Sequence, residues 1–392
     1  MDAWLLAAEL VAETRDLLHA RPLSGHEDEV VAARGWLGFL EGLDEATLVA
    51  LEVGGLEAAW PTATPPSLRD LIERLRVACS VPSLETDGPT RALGLRESPT
   101  KRAQIEAFSR VLAPIAAHAR RVVDVGSGHG HLTRAIASAS RPTVGLERDA
   151  GLIVTARAIP AETAPEFVVR DVLAEGLPIE PGDCVIGLHA CGELGDHLVD
   201  QAAAHGAAVV LVGCCLQKRR GEERAPFRRD LGDAVALPRA LLGLSNLTTR
   251  EEGVEASRAE NLAARERRLA LRILLREHAP MLRVGAEIEG LNRRVAHADL
   301  ETLVARAFAV RGLAVPSRDS VRAAAMEAAT MHARSRRLGL PRTLLARLLE
   351  VFVLHDRAER LRAAGHAAQV GTLFPQAISA RNLVLAATPP RW

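Results

Sequence analysis

The chain has 392 residues, 48% of them hydrophobic, and 49 basic side chains against 49 acidic ones. It is long enough to bury a large core in two or three domains, and no run of 18 uncharged apolar residues is present to act as a membrane span. Five cysteines, two of them adjacent, do not make the even framework of a small disulfide-stapled protein, so reduced thiols are expected.

The opening MDAWLLAAELVAETRD carries acids where a signal peptide needs a basic region, which predicts a cytoplasmic protein. Residues 1–95 form an acidic helical region, with apolar positions three and four apart at Trp36, Phe39, Leu40 and Leu43 and again at Leu68, Leu71, Leu75 and Val77. That region holds 16 acids and 7 bases, whereas residues 216–345 hold 16 acids and 25 bases. Two readings of this asymmetry compete. The basic segment can face an RNA backbone, where clustered arginines release counterions, or it can dock on the acidic region of the same chain.

From residue 96 to 216 short apolar strands alternate with helices, the pattern of a mostly parallel sheet covered on both faces. Its most informative stretch is Arg121 to Ile136, RVVDVGSGHGHLTRAI. Val122, Val123 and Val125 suit a buried strand, and Gly126, Gly128 and Gly130 allow a tight turn with close backbone approach to a ligand before a helix begins. A dinucleotide fingerprint would need glycine at position 131, where the chain has His131. The G-x-G-x-G form preceded by Asp124 instead resembles motif I of class I S-adenosylmethionine (SAM) methyltransferases. A second strand, Thr143 to Glu147, ends in an acid roughly 20 residues beyond the loop, where a ribose-chelating carboxylate belongs. A third, Phe167 to Arg170, ends at Asp171, where the superfamily often places an acceptor for the adenine amine. Strands follow at Asp183 to Leu188 and Ala207 to Val212. Ligands in such sheets bind beyond the carboxyl ends of the strands, where Asp124, Glu147, Asp171 and His189 all fall. The expected cofactor-binding set is Asp124, Gly126, Ser127, Gly128, Gly130, Glu147, Asp171, Val172 and Leu188, and the expected cofactor is SAM.

Residues 217–340 then read as a basic helical insertion, with segments such as AENLAARERRLALRILLREH. Residues 341–392 supply the last helix and the final strands, QVGTLF near Gly371 and Arg381 to Ala387. The expected fold is α/β: a Rossmann-like class I methyltransferase with a mostly parallel seven-stranded sheet, a helical N-terminal region and a helical insertion.

The stretches GLHACGELGD (from Gly187) and VLVGCCLQKRR (from Val210), with ESPTKRAQI, LSNLTTREEGVEASRAEN, GLNRR and ISARN, resemble the methyltransferase domain family that includes the methyltransferase-like 25 proteins. More distantly, the L-H-x-C-G and C-C pair is similar to the eukaryotic tRNA acceptor-stem 2′-O-methyltransferases, although Leu216 and Gln217 stand where those enzymes tend to carry histidines. The resemblance covers most of the chain. It implies SAM-dependent methyl transfer; the acceptor expected here is macromolecular, RNA and within it tRNA foremost. A protein substrate or SAM-binding interaction factor is the alternative, with a small acceptor as a third.

Neighbouring fourth and fifth strands bring His189, Cys191, Cys214 and Cys215 into one neighbourhood. His189 can deprotonate a hydroxyl or amine acceptor, or it can wall the methionine end of SAM. Cys191 and Cys214 occupy places comparable with the thiolates of carbon-5 pyrimidine methyltransferases, without the Pro-Cys or Thr-Cys dipeptides of those enzymes. No metal is expected: adjacent cysteines on a strand point to opposite faces, and C-x-x-C spacing is absent. Lys101, one of only two lysines, can reach over the cofactor or receive a substrate phosphate, so the catalytic candidates are His189, Cys191 and Lys101. Arg219, Arg220 and Arg228 form a basic run at the exit of the fifth strand, suited to phosphate contacts that orient RNA without reading it. Asn382 can hold a substrate loop.

Overall fold

The computed structural model describes residues 3–84, 98–160, 163–249, 258–283, 285–292, 295, 298–376, 378–390 and 392. Glu97, the 250–257 part of the LSNLTT stretch, Arg293 and Arg294 lie outside the described residues, as does the expected boundary at 95/96. Two compact units are present: residues 1–15, 71–249 and 344–392 form one, and 16–70 with 250–343 form the other. No helix among the described residues is long and apolar enough to cross a membrane.

The first unit is built on one seven-stranded sheet, with strands β1 (Arg121–Val125), β2 (Thr143–Glu147), β3 (Glu166–Val169), β4 (Asp183–Leu188), β5 (Ala208–Val212), β6 (Ala367–Thr372) and β7 (Leu383–Thr388). The strand order is β3-β2-β1-β4-β5-β7-β6. The first five strands are parallel, and β7 enters antiparallel to β5, Val209 opposite Ala387 and Val212 opposite Val384. This is the Rossmann-like sheet of class I methyltransferases, as expected from the alternation of strands and helices. Continuous burial of β5 (AVVLV) follows from cover on both faces, which removes the polar alternation an open sheet would need.

Helix α1 (Pro99–Ala116) covers one face. Ser98 caps it by accepting from the Lys101 amide at 3.3 Å, Pro99 starts it, and Ile105, Phe108, Leu112 and Ala116 make a buried stripe against Val122, Ile186 and Val210. On the other face the terminal part of a 46-residue helix, Arg318–Ala363, supplies Val351, Leu354, Ala358 and Leu361. The sequence places this helix from about 341 to 363. The helix instead begins at Arg318 and includes Pro341, and apolar burial on the following turns outweighs the lost amide hydrogen bond. The first helix, Ala3–Glu13, also belongs to the sheet unit: Trp4 stacks on Phe352 at 5.1 Å between ring centroids.

The second unit joins the remainder of the acidic N-terminal region to the arginine-rich segment. Leu271, Leu274 and Leu275 of helix Arg258–His278 pack on Leu303, Val304 and Phe308 of helix Leu300–Val310. Around that core, Arg336 pairs with Glu45 (2.5 Å) and Glu52 (2.7 Å), Arg258 with Glu52, and Arg334 with Glu41 (2.8 Å) and Asp28. These pairs satisfy the reading in which the basic segment docks on the acidic one. Val77 departs from the expected apolar stripe: Leu68, Leu71 and Leu75 are buried, whereas Val77 is 62% exposed, because it falls on the outer side of the helical period.

Arg336 and Glu52 are nearly buried together, so Arg336→Ala should lower the stability of the second unit by about 1–3 kcal/mol, between the surface and fully buried limits for an ion pair. A denaturant titration would register the shift as an earlier midpoint.

Candidate active site

The carboxyl ends of β1, β2 and β4 form the site. After β1 the backbone passes through three left-handed glycines, with φ of 76° at Gly126, 56° at Gly128 and 72° at Gly130. Their roles differ. A β-carbon at Gly126 or Gly128 would meet no protein atom within 4 Å, so the turn presents bare backbone there, while at Gly130 it would strike the Phe167 ring at 2.4 Å. The first two glycines suit close approach of a ligand, and the third permits helix-to-strand packing. The amides of Gly126 and Ser127 donate to the Leu146 carbonyl at 2.8 and 3.1 Å, pinning the loop to β2.

Glu147, at the end of β2, accepts from the Gly128 amide at 3.1 Å through one carboxylate oxygen and from the Asp149 amide at 3.1 Å through the other. Its carboxylate is therefore oriented beside the bare loop. Asp124 acts from below the loop. It is buried and accepts from the Thr133 hydroxyl at 2.6 Å, so it braces the helix that follows the glycines and is not presented to a ligand. Burial pushes the Asp124 carboxyl up to about 6; the Glu147 charge raises it further, and Thr133 opposes the shift. Asp171 caps the short helix Val172–Glu175 by accepting from the Leu173 amide at 3.1 Å, with Val172 buried beneath it. Leu188 is half-buried at the end of β4.

His189 follows β4 with φ 73°, a left-handed backbone that non-glycine residues seldom adopt. Its amide donates to the Val212 carbonyl of β5 at 2.9 Å, and its ring Nε2 lies 3.2 Å from Oε1 of buried Gln104 on α1. Burial lowers its pKa, and the charges of Arg381 and Lys101 lower it further, so the ring is neutral at pH 7. Lys101 is exposed on the first turn of α1.

Two expectations from the sequence are corrected around the cysteines. Cys191 and Cys214 are joined by a disulfide, with Cα atoms 5.1 Å apart, where reduced thiols were expected. The parallel register of β4 and β5, Leu188 opposite Val212, delivers the two loops side by side. Cys214 and Cys215 also lie beyond β5, which ends at Val212, so the alternation that would send them to opposite faces does not apply. Gly192 makes the approach of the loops possible. A β-carbon there would fall 2.1 Å from the Lys218 carbonyl oxygen, which accepts from the Glu193 amide at 3.0 Å.

The basic run divides. Arg219 is drawn onto Asp196 at 3.4 Å and is mostly buried, and Arg228 pairs with neighbouring Asp230, so neither offers the unpaired guanidinium expected for phosphate contacts. Arg220 is 66% exposed and lies 3.9 Å from Asp171. Asn382 is buried and ties the chain internally, donating to the Phe374 carbonyl at 3.0 Å and accepting from Arg347 at 3.0 Å.

Two features were missed. Arg381 donates to Cys215 Sγ and to Asn246 Oδ1, both at 3.0 Å, beside His189. Its signal was present in the ISARN stretch, one residue before Asn382. The other is a buried ion network: Arg224 pairs with Asp196 (3.0 Å) and Asp356 (2.8 Å), and Arg357 with Asp196 (3.0 Å). Burial would raise the Asp196 carboxyl, yet Arg224 and Arg357 hold it well below the usual carboxylate range. No local motif marks this set, since its members are over 160 positions apart at the extremes.

A bare glycine turn, an acid at the end of β2 and this strand order define a class I methyltransferase site. Comparison with known proteins agrees: residues 100–222 match the family described as a methyltransferase domain. Among solved structures the chain is similar to the plantazolicin methyltransferase BpumL in complex with SAH, with 14% identity, 44% of this chain and 62% of that one covered, and a TM-score of 0.24. It is also similar to magnesium protoporphyrin IX methyltransferase (ChlM) from Synechocystis PCC 6803 with bound SAH, with 17% identity, 37% and 66% covered, and a TM-score of 0.22. The chain spans a little under two thirds of the length of each. The stretch that matches the methyltransferase domain, residues 100–222, holds the glycine turn, Glu147 and His189.

Glu147→Ala removes the carboxylate beside the glycine turn, and SAM affinity measured by calorimetry should fall at least about tenfold, the worth of a charge-assisted hydrogen bond. Asp196→Ala leaves two buried arginines short of a partner and should cost about 3–5 kcal/mol. In the intact protein the Asp196 contribution is fully present above the ordinary carboxylate pKa of about 4 and is lost as pH falls below it, because the folded state holds the proton more weakly than the unfolded one. Thermal melts of both proteins from pH 7 to pH 3 should therefore show a constant gap down to about pH 4 that begins to narrow below it and is still open at pH 3.

Proposed function

We propose that this protein transfers a methyl group from SAM to RNA, with a tRNA-like acceptor favoured by the resemblance of its histidine- and cysteine-bearing loops. The observation that carries the cofactor assignment is the bare Gly126–Gly128 backbone, whose Gly128 amide meets the Glu147 carboxylate at 3.1 Å. SAM, when bound, supplies a methyl on a sulfonium, electrophilic enough that alignment of the acceptor decides much of the rate. Gly126, Ser127 and Gly128 would hold it by their backbone, Glu147 by its ribose hydroxyls, and Asp171 with Val172 on the adenine side.

His189 is the group suited to take the acceptor's proton. It is neutral at pH 7, and Gln104 Oε1 accepts from its Nε2–H, which leaves Nδ1 as the basic nitrogen. A hydroxyl acceptor needs such a base more than an amine does. The anionic character of the acceptor is supported by the cations near His189: Lys101 and Arg381 both act on its ring electrostatically. Exposed Arg220 adds a further charge at Asp171. Because the insertion's arginines Arg258, Arg334 and Arg336 already face carboxylates, the RNA grip is assigned to Lys101 and Arg220 at the site.

Methyl-labelled SAM incubated with the protein and with total RNA or total protein tests this directly. Label in RNA is expected, with binding that weakens steeply with salt and a shallower salt slope in Lys101→Ala/Arg220→Ala. Label in protein alone would replace RNA by a polypeptide acceptor. His189→Ala should lower kcat about 100-fold or more while leaving SAM affinity intact. In the unaltered enzyme the rate should be flat from pH 7 to 8 and fall on the acid side, as His189 is protonated below its ordinary value near 6.5.

A further inference from the structure

We propose that Cys191, Cys214 and Cys215, when the Cys191–Cys214 disulfide is reduced, form a three-thiolate site for a thiophilic divalent ion, zinc foremost. The three sulfur atoms lie within 4.8 Å of one another. Thiolates bind zinc at about 2.3 Å, which in a tetrahedron sets neighbouring sulfurs a little under 4 Å apart, so small side-chain adjustments suffice.

The scaffold holds these ligands in place independently of the disulfide. Cys191 follows β4 and Cys214–Cys215 follow β5, and the two loops are fastened by the His189 amide on Val212 (2.9 Å) and the Glu193 amide on Lys218 (3.0 Å). The close approach at Gly192 permits no side chain between them. The sulfurs of Cys191 and Cys214 lie 3.1 and 3.6 Å from the His189 carbonyl oxygen. Both are therefore held on one side of the same carbonyl.

A disulfide uses two sulfurs, and the third is the feature that points to a metal. Cys215 is placed with the pair and receives the Arg381 guanidinium at 3.0 Å. Three thiolates on a dication carry one net negative charge, which this cation offsets from outside the ligand set; such outer partners orient and tune metal ligands. Three protein ligands leave a fourth position open, the arrangement of reactive zinc sites and not of closed structural ones.

The chemistry balances without further components beyond a thiol or phosphine reductant. Two electrons and two protons convert the disulfide to two thiols, the reductant being oxidised, and the ion then displaces protons from the three thiols as it binds. Because occupancy is read from the metal, its outcome is separate from whether methyl transfer to RNA is observed.

The full chain, reduced with a phosphine until all five thiols are counted, would be titrated with zinc and with cobalt(II) and analysed for metal after gel filtration. One ion per chain is expected, with the intense near-ultraviolet thiolate-to-cobalt absorption and three sulfur neighbours by X-ray absorption on the unsubstituted protein. Cys215→Ser should lower the affinity at least about tenfold, whereas Cys79→Ser, far along the chain from the cluster, should not. Failure of the reduced protein to retain an ion would overturn the proposal, and so would a sulfur count below three. Should Cys215→Ser fail to fold, the sulfur count on the unsubstituted protein still decides the matter.

Discussion

The sheet unit depends on the buried ion network of Asp196, Arg224, Arg357 and Asp356. Asp196 stands on the helix after β4, Arg224 comes from the chain leaving β5, and Asp356 and Arg357 come from the long terminal helix. Two acids and two arginines balance in charge, and Asp356 also accepts from the Phe227 amide at 2.9 Å. Burying four charged groups costs several kcal/mol each unless every one is partnered, so the network tolerates little change in the relative placement of three segments. Its consequence is positional. The β4 and β5 loops that carry His189 and the cysteines are held against one helix, and the close contact at Gly192 can persist.

Around that anchor the site divides its work by burial. Asp124 and Thr133 form a hidden brace under the glycine turn, while Glu147 remains at the surface with its carboxylate oriented by two amides. His189 is held neutral by burial and by neighbouring cations, and its left-handed backbone leaves its carbonyl beside the sulfurs of both disulfide cysteines. Strain at a non-glycine residue persists only where surrounding bonds over-determine it, and here the Val212 carbonyl and Gln104 supply that constraint.

The charge asymmetry has a local explanation in the second unit. Helices from residues 16–70 bring Glu41, Glu45 and Glu52 to Arg334, Arg336 and Arg258, so much of the arginine excess is answered within the chain. Net charge over a segment says how many ions need partners, but not whether those partners are phosphates or carboxylates.

What the sequence by itself determined was the sheet and the glycine turn. Strands such as Val122–Val125 and Ala208–Val212, and glycines at alternate positions after Asp124, are local patterns set by backbone sterics and burial, and these are readable a few residues at a time. The carboxylate at Glu147 followed because its distance from the turn is fixed by one helix and one strand. Only the tertiary structure decided that Asp124 braces while Glu147 is presented, that Arg219 is consumed by Asp196, that Cys191 meets Cys214, and that Arg381 reaches Cys215. The Asp124–Thr133 brace spans 9 positions, whereas the last three depend on pairing across 23 to 166, where the partner is chosen by strand register and by the need to satisfy buried charge. No window of sequence contains both halves of such a choice.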